Sequence, residues 1–405
     1  MVSFLVKTIL VLVIVVMVFG AITFAMLLSS NFFTNQIPSP YAVNVPVTAQ
    51  PKNAGDTTPK IIVENLTIPW DIAFLPDPSN PSGQANTLLV TERAGMLFHI
   101  DPAAGSKNSI AISGVEHAGE GGLLGIVLHP KFSATAVDGV PSEGGKNNWL
   151  YLYITYRKGQ AIENKVERYV FKDNTLSEKK TIIAGIPGSQ NHDGGRMEFG
   201  PDGLLYITTG DAGKEELAQN TNSLAGKILR VNESGAIPKD NPFGNAVYSY
   251  GHRNPQGLAF DEQGRLWATE HGRSGAESGL DELNLIIIGQ NYGWPDSQGD
   301  TVLANTVAPK AHSGATVTWA PASASYYQGR VFFGGLRGEA LYEAVLEGEQ
   351  VKEIKEHFKG EFGRIRTVRL APDGMLYLTT SNRDGRGDIS EGDDKIIIIN
   401  PKQLK

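Results

Sequence analysis

The sequence predicts an all-β domain over residues 61–405, arranged as a six-bladed β-propeller. A phrase made of a turn and then a strand of aromatic and apolar residues recurs along this part of the chain. The copies lie roughly 50–60 residues apart, or about twice that where one is degenerate, which fits four short strands per unit and about six units. No stretch here has a sustained helical period flanked by caps. Radial closure would leave few exposed strand edges, and a pair of β-sandwiches is the alternative.

Each copy of this phrase ends in polar residues. The copies occupy residues 87–93, 149–154, 202–211, 263–270 and 372–380. Loops from different blades of a propeller converge around its central channel, so residues at or after the end of the phrase are candidates for one shared site. These candidates are Glu92-Arg93, Asp211, Glu270-His271-Gly272 and Ser381-Asn382-Arg383.

Composition excludes several function classes. The formal net charge of −7 argues against nucleic-acid binding, which requires a basic face. The chain has no cysteine, so a disulfide, a thiolate metal site and a cysteine nucleophile are all impossible. Neither a phosphate-binding loop nor a dinucleotide fingerprint nor a serine elbow occurs in a fitting context.

The N-terminus predicts a membrane anchor. Residues 9–28 are almost all apolar, without a charge after Lys7, and about 20 such residues span a bilayer. We therefore predict one transmembrane helix within residues 1–30; a cleaved signal segment ending near Thr23-Phe24-Ala25 is the alternative. Lys7 favours a cytoplasmic N-terminus, which makes the domain extracytoplasmic, or secreted if the segment is cleaved. Residues 31–60 are rich in Pro, Asn, Thr and Ser and predict a flexible linker.

His192 is the candidate catalytic base. It lies between polar neighbours and is followed by Gly194 and Gly195, which would let a backbone or a flat ligand approach closely. A histidine titrates near neutrality and can accept a proton from a substrate. A histidine that only hydrogen-bonds a turn is the alternative.

Arginines form a second candidate group. Arg253 and Asn254 lie in a glycine-containing turn before a strand and could hold a carboxylate or a quinone oxygen. Arg364 and Arg366 alternate along a predicted strand, so both face one side and require an anion or several carbonyls. Together with Arg337 they predict a polyanionic ligand, with a solvated charged face as the alternative.

Oxygen-rich segments predict a cation site. Residues 270–272, 281–284 and 291–295 gather carboxylates and turns that present carbonyls, the ligands that calcium takes. Their spacing is not that of an EF-hand and does not by itself single out calcium. Glu120 supplies a single carboxylate in a glycine-rich turn, and the flanking His117 and His129 are interpreted as structural.

These segments together resemble the pyrroloquinoline-quinone (PQQ)-dependent aldose sugar dehydrogenases, relatives of soluble quinoprotein glucose dehydrogenase. The resemblance runs from residue 69 to residue 399, nearly the whole chain after the predicted linker. It is specific because several long motifs occur in the same order. The motifs are Gly121-Gly122-Leu123-Leu124-Gly125, Asn191-His192-Asp193-Gly194-Gly195-Arg196, Gly226-Lys227-Ile228-Leu229-Arg230, Gly251-His252-Arg253-Asn254-Pro255-Gln256-Gly257, and Asp281-Glu282-Leu283-Asn284 through Tyr292-Gly293-Trp294-Pro295.

The resemblance implies a six-bladed propeller that oxidises the C1 hydroxyl of an aldose to a lactone, with hydride passing to the C5 atom of PQQ. It makes His192 the base, and it places Arg253 and Asn254 near the quinone carbonyls. Arg364 and Arg366 match the pair that binds the cofactor carboxylates. Arg337 falls where the family often has a lysine, and Glu120 stands where the soluble glucose enzyme has a glutamine near substrate and cofactor.

The resemblance also implies two calcium ions. The backbone carbonyls of Gly272 and Arg273 match those that hold the quinone-bound Ca²⁺, and Asp281, Glu282 and Tyr292 match a second, structural site. The chain departs from the family pattern at Arg273, which replaces a proline before a longer loop. It departs again at Asn191, which replaces an aspartate before the base.

The expected partners are an aldose, an electron acceptor (a quinone or a cytochrome) and the membrane. A monomer is favoured, because the insertions that support dimerisation in the glucose enzyme are absent. Two other functions stay open at this point: a calcium-dependent propeller lactonase or hydrolase, and a non-catalytic binding propeller at the cell surface. The preferred sugar is not predicted.

Overall fold

Six separate sheets make up the described part of the chain. The computed structural model describes residues 47–49, 59–76, 87–133, 147–275 and 278–404. All of them belong to one unit, Pro38–Lys405. The predicted anchor (1–30) and most of the predicted linker (31–60) lie outside the described residues and stay predictions. Among the residues that are described, no helix is long and apolar enough to cross a membrane.

The described elements are twenty-five strands and one short helix. In chain order they are β1 (Val47–Ala49), β2 (Lys60–Val63), β3 (Pro69–Leu75), β4 (Thr87–Glu92), β5 (Met96–Asp101), β6 (Ser106–Ala111), β7 (Leu123–Leu128), β8 (Trp149–Lys158), β9 (Ala161–Lys172), β10 (Thr175–Pro187), β11 (Met197–Phe199), β12 (Leu205–Thr209), α1 (Glu216–Gln219), β13 (Lys227–Val231), β14 (Val247–Tyr250), β15 (Pro255–Phe260), β16 (Leu266–Glu270), β17 (Glu282–Ile286), β18 (Ala311–His312), β19 (Pro321–Tyr327), β20 (Arg330–Gly335), β21 (Leu341–Glu347), β22 (Gln350–His357), β23 (Ile365–Leu370), β24 (Leu376–Thr380) and β25 (Ile396–Ile399).

The sheets are the six blades of a propeller. Five blades are antiparallel meanders of consecutive strands: β3–β6, β7–β10, β11–β14, β15–β18 and β19–β22, the last extended by β1 in parallel with β22. The sixth joins β23–β25 to β2, which pairs antiparallel with β25, so the two ends of the domain close the ring. The first strand of each blade contacts the first strands of both neighbouring blades. The predicted six-bladed propeller is confirmed, and the sandwich alternative is wrong.

The core lies between blades. In β8, successive side chains point to opposite faces of the sheet, as the pleat requires. Tyr151 and Tyr153 pack towards the β11–β14 blade, whereas Leu150 and Leu152 pack towards the β3–β6 blade. Both faces are buried, which explains why this strand has a continuous rather than an alternating apolar pattern.

Antiparallel pairing places the candidate residues at one end of the ring. Pro255 at the start of β15 pairs with Glu270 at the end of β16, and Ile365 pairs with Thr380 in the same way. The turn before each first strand therefore lies beside the loop after the second strand. His192, Arg253 and the residues that follow the repeated phrase share this end.

Candidate active site

His192 lies in the loop before β11, and its backbone is left-handed with a φ of 62°. Its amide donates to Glu120 Oε2 at 3.0 Å, and its carbonyl accepts the Ala212 amide at 3.2 Å. The carbonyl also packs on Gly210, where a Cβ atom would come within 1.9 Å of its oxygen. The loop is therefore fixed on both sides, and it holds an imidazole that is 17% exposed, as a base that must reach a substrate requires.

Asp211 supports the ring of His192 from behind. Nδ1–H of His192 donates to Asp211 Oδ1 at 2.7 Å, and the Asp211 side chain is buried. Because a carboxylate only accepts hydrogen bonds, Nδ1 carries the proton and Nε2 keeps its lone pair for a substrate. The sequence placed Asp211 among the polar strand ends but assigned it no role. Asn191, which departs from the family pattern, is exposed, and the side chain that supports the ring of His192 in this structure is Asp211.

Glu120 joins the loop of His192 to the last blade. Its Oε1 accepts Nη1–H of the exposed Arg386 at 2.8 Å, while Oε2 accepts the His192 amide. Burial opposes ionisation of Glu120, but these two hydrogen bonds and the positive charge of Arg386 hold its pKa at about 2. A carboxylate that is ionised at every physiological pH therefore lies beside the base.

Arg253 and Asn254 are buried in the turn before β15. Arg253 Nη2 donates to Ser274 Oγ at 2.8 Å, and Asn254 Oδ1 accepts the Gly194 amide at 3.1 Å. Two buried donors, Arg253 Nε and Asn254 Nδ2, have no hydrogen-bond partner among the described residues. A buried donor without a partner costs about 1–3 kcal/mol, so a ligand with acceptor oxygens would be stabilised here.

Arg364 and Arg366 share an acid from their own chain. Asp384 Oδ2 accepts Nε–H and Nη2–H of Arg364 at 3.2 and 2.7 Å and lies 3.6 Å from Arg366 Nη2. Arg366 Nε donates to Ser381 Oγ at 3.2 Å. The anion that the sequence required for these arginines is thus supplied in part by Asp384, which the sequence did not indicate.

Positive charge is nevertheless in excess around this pair. Burial lowers the pKa of Arg366 to about 9, Asp384 opposes this shift, and the charges of Arg93 and Arg364 add to it. All three guanidinium groups stay charged at neutral pH. Arg93 is buried and donates from Nε to His117 Nε2 at 3.1 Å. The sequence predicts Arg93 only as one of the polar residues at the ends of the repeated phrase. Arg337, in the β20–β21 loop, is exposed.

His271 shows that several blades meet at this site. Burial lowers its pKa to about 3, Glu120 opposes the shift, and Arg253, His192 and Arg366 contribute to it. These four residues come from four different blades. The imidazole is neutral at physiological pH, and its Nε2 has no partner among the described residues. The convergence predicted for the ends of the repeated phrase therefore holds for His271.

The residues predicted to bind calcium lie close together in sequence, but the structure places them in two different hydrogen-bond environments. Asp281 Oδ1 accepts the Gly272 amide at 2.8 Å, and its Oδ2 accepts the amides of Trp319 and Ala320 at 2.7 and 2.9 Å. The Arg273 carbonyl accepts the Gly279 amide at 3.4 Å. Asp281 therefore organises the loop around Gly272.

Glu282 lies in a second acidic environment. It pairs across the strands with Glu270, and burial together with the Glu270 charge raises the pKa of Glu282 to about 8. Asn284 Oδ1, nearby, is buried without a partner among the described residues. The Tyr292 hydroxyl donates to the Leu285 carbonyl at 2.6 Å, which leaves only the backbone of Tyr292 for a cation. Over the described residues, no group of three or more His, Cys, Asp or Glu side chains is arranged to hold a metal.

Comparison with known proteins identifies the family. Residues 66–390, more than half of the chain, match the family model described as Glucose / Sorbosone dehydrogenase. The chain belongs to this family. The resemblance found in the sequence is confirmed, and so is the prediction of a sugar-dehydrogenase-type enzyme.

Three relatives define the similarity further. The aldose sugar dehydrogenase YliI of Escherichia coli is 31% identical over 80% of this chain and 90% of its own length. The quinoprotein glucose dehydrogenase B of Acinetobacter calcoaceticus is 34% identical, over 59% of this chain and about half (52%) of its own length. The solved structure of a PQQ-bound aldose sugar dehydrogenase from Streptomyces coelicolor is 36% identical, covers 84% of this chain and 96% of its own, and superposes with a TM-score of 0.74.

Proposed function

We propose that this enzyme oxidises the C1 hydroxyl of aldose sugars to lactones with PQQ as its cofactor. The observation that carries the proposal is the His192–Asp211 pair, at 2.7 Å, in the same cluster as the buried guanidinium groups of Arg253 and Arg366. A base beside an anion-binding cluster suits a reaction in which a proton leaves a sugar while a hydride goes to an anionic cofactor.

The residues present fit PQQ. Arg364 Nε and Nη2 donate to Asp384 and its Nη1 donates to the Leu336 carbonyl at 2.9 Å, so only the second hydrogens of Nη1 and Nη2 are left for a cofactor carboxylate. Arg366 offers more, because only its Nε donates to a side chain, that of Ser381. Arg253 Nε and Asn254 Nδ2 are buried donors that need acceptor oxygens, which quinone carbonyls provide. Arg337, being exposed, would contact the cofactor only from the rim.

His192 acts as the base through Nε2, which takes the proton of the anomeric hydroxyl while Asp211 holds Nδ1–H. Glu120 accepts hydrogen bonds beside it, and its ionised carboxylate suits the hydroxyl groups of a sugar. PQQ, when bound, supplies the acceptor for the C1 hydride, so that loss of one proton and one hydride leaves the lactone. The re-oxidising partner would be a quinone or a cytochrome.

Calcium belongs to the proposal. Glu282 and Asn284 Oδ1, which has no partner among the described residues, are oxygen donors beside Glu270, and the Tyr292 carbonyl would add a further oxygen. The Gly272 and Arg273 carbonyls would hold a cofactor-bound Ca²⁺. The proposed location is extracytoplasmic, by way of the apolar segment within residues 1–30, and the proposed state is a monomer.

The test uses the full-length chain purified in detergent. PQQ is titrated by calorimetry with and without Ca²⁺, and dye reduction is then followed with a panel of aldoses. We expect sugar-dependent reduction that requires PQQ. The His192→Ala variant should bind PQQ as the wild type does but lose turnover; retained activity would remove His192 from its role. Absence of PQQ binding would overturn the proposal, and a lactone-hydrolysis assay would then separate a hydrolase from a binding propeller.

A further inference from the structure

Trp294 connects two parts of the candidate site that come from different blades. Its indole Nε1–H donates to Asp211 Oδ2 at 2.9 Å. The guanidinium group of Arg253 lies over its ring, 5.2 Å from the centroid. The sequence analysis uses the segment 291–295 as part of a cation site and as a family motif, and it links neither the base nor its supporting acid to it.

The chain reaches this position by crossing between blades. After β17, Asn291 forms a parallel bridge with Tyr250 of β14, in the neighbouring blade. The Tyr250 amide donates to the Gln290 carbonyl at 3.2 Å, and the Tyr292 amide donates to the Tyr250 carbonyl at 2.8 Å. The segment is therefore joined to the end of β14 by one isolated bridge, and it brings Trp294 next to Asp211.

Trp294 itself is held at both backbone polar groups. Its amide donates to the Gly251 carbonyl at 2.9 Å, and its carbonyl accepts Nε2–H of Gln219 at 2.6 Å. Together with the Arg253 contact, these bonds fix the direction in which the indole N–H points.

Asp211 depends on this donor. Its Oδ1 accepts both Nδ1–H of His192 and the Gly213 amide, each at 2.7 Å. Within the described part of the chain, the indole N–H is the one hydrogen bond to Oδ2. Without it, the carboxylate could rotate about its Cβ–Cγ bond, and a buried oxygen would lack a partner.

We propose that Trp294 is a positioning residue for the base: its indole N–H fixes the Asp211 carboxylate so that His192 keeps its proton on Nδ1 and its lone pair on Nε2. The hydrogen bond from Trp294 to Asp211 and the tautomer of His192 are properties of the protein without cofactor or substrate. Only the effect on turnover rests on the proposed function. Loss of a whole supporting carboxylate costs up to about 10⁴-fold in a related arrangement, so loss of one hydrogen bond to it should cost roughly 10-fold.

The test is Trp294→Phe, which removes the N–H and keeps an aromatic ring over Arg253. The ¹⁵N shifts of the histidine side chains are recorded in the full-length, cofactor-free protein, and His192 is assigned by its loss in His192→Gln. We expect the Nδ1–H fraction of His192 to fall. With PQQ and sugar, we expect kcat to fall roughly 10-fold while KM and PQQ affinity stay within about 2-fold.

Trp267→Phe is the matched control, because Trp267 Nε1 donates to Asp261 Oδ2, also at 2.9 Å, at the opposite end of its blade. It should leave the His192 shifts and kcat unchanged. Unchanged His192 shifts in a folded Trp294→Phe protein would overturn the proposal. A changed tautomer in a protein that oxidises no sugar would uphold Trp294 and reject the proposed function instead. If Trp294→Phe does not fold, Trp294→His takes its place. Because histidine can donate a hydrogen bond, this variant should keep the wild-type tautomer of His192, and a changed tautomer would overturn the proposal.

Discussion

Asp384 binds Arg364 side-on, with one carboxylate oxygen accepting from both Nε and Nη2 at 3.2 and 2.7 Å. The same oxygen lies 3.6 Å from Arg366 Nη2. A negative charge of the protein thus occupies part of the region proposed for the cofactor carboxylates. Asp384 holds the guanidinium groups in place, but it also weakens their attraction for another anion.

Asp384→Asn should therefore bind PQQ more tightly, roughly 10-fold at low salt. The amide keeps the shape and one acceptor oxygen while it removes a charge close to the two guanidinium groups. Calorimetry at low and high salt measures the effect, which should shrink at high salt because these interactions are screened. Asp261→Asn, at a carboxylate that pairs with Arg265 at the opposite end of the ring, should leave PQQ affinity unchanged. Weaker binding by Asp384→Asn would show that orientation of Arg364 outweighs competition.

Glu120→Gln should lower the free energy of unfolding in a pH-dependent way. The pKa of Glu120 is held at about 2 in the folded protein, below its ordinary value of 4.5. The folded state therefore binds the ionised form better, and this stabilisation is present above about pH 4.5 and is lost as the pH falls towards 2. Because the side chain is 22% exposed, we expect a difference of about 1–3 kcal/mol at pH 7.

Denaturant unfolding of wild type and Glu120→Gln at several pH values between 2.5 and 7 checks this expectation. The two curves of stability against pH should converge towards the acid end. A difference that is constant over the whole range would mean that Glu120 acts through packing rather than through its charge. Glu198→Gln is a control for a carboxylate that pairs with Arg369 away from His192.

The fold was accessible from the sequence because each blade repeats the same local pattern. The phrase around Tyr206 and that around Tyr377 both mark the second strands of their blades. The site was predictable where a residue directly follows such a strand, as for His271. It was not predictable for Asp384, which lies in a loop of mixed charges, or for Trp294, which reaches Asp211 only because its segment crosses between blades.

Lys227→Met should destabilise the protein by about 1–3 kcal/mol. Lys227 is fully buried, and its Nζ donates to the carbonyls of Leu217, Ala218 and Ala225 at 2.8, 2.9 and 2.5 Å. Methionine fills a similar volume but removes this donor. The Leu217 and Ala218 carbonyls keep the amides of Asn220 and Gly251 at 3.2 and 2.9 Å, whereas the Ala225 carbonyl loses its donor, which costs about 1–3 kcal/mol. Two of the carbonyls belong to α1, next to Gln219, which holds the Trp294 carbonyl.

Chemical unfolding of Lys227→Met measures this loss, and Lys359→Met is the control. Lys359 pairs with Glu356 on the surface, so its replacement should leave the unfolding midpoint nearly unchanged. Equal stability of Lys227→Met and wild type would mean that other donors replace the ammonium group. A fall in kcat beyond the loss of folded protein would link α1 to the position of Trp294.

Calcium should raise the thermal unfolding midpoint of the wild type and have no such effect on Glu282→Gln. Glu270 is buried, Glu282 is half-buried, and the two are paired across β16 and β17, so their charges repel unless a proton or a cation lies between them. The glutamine variant relieves this repulsion without a metal. In chelator it should therefore melt at or above the wild-type temperature, and added Ca²⁺ should not shift it further.

Glu343→Gln is the control. It removes a buried carboxylate that is already balanced by His357 and Arg330, so it should lower the unfolding midpoint while keeping the calcium response. A wild-type midpoint that is the same in calcium and in chelator would exclude a structural calcium at Glu282.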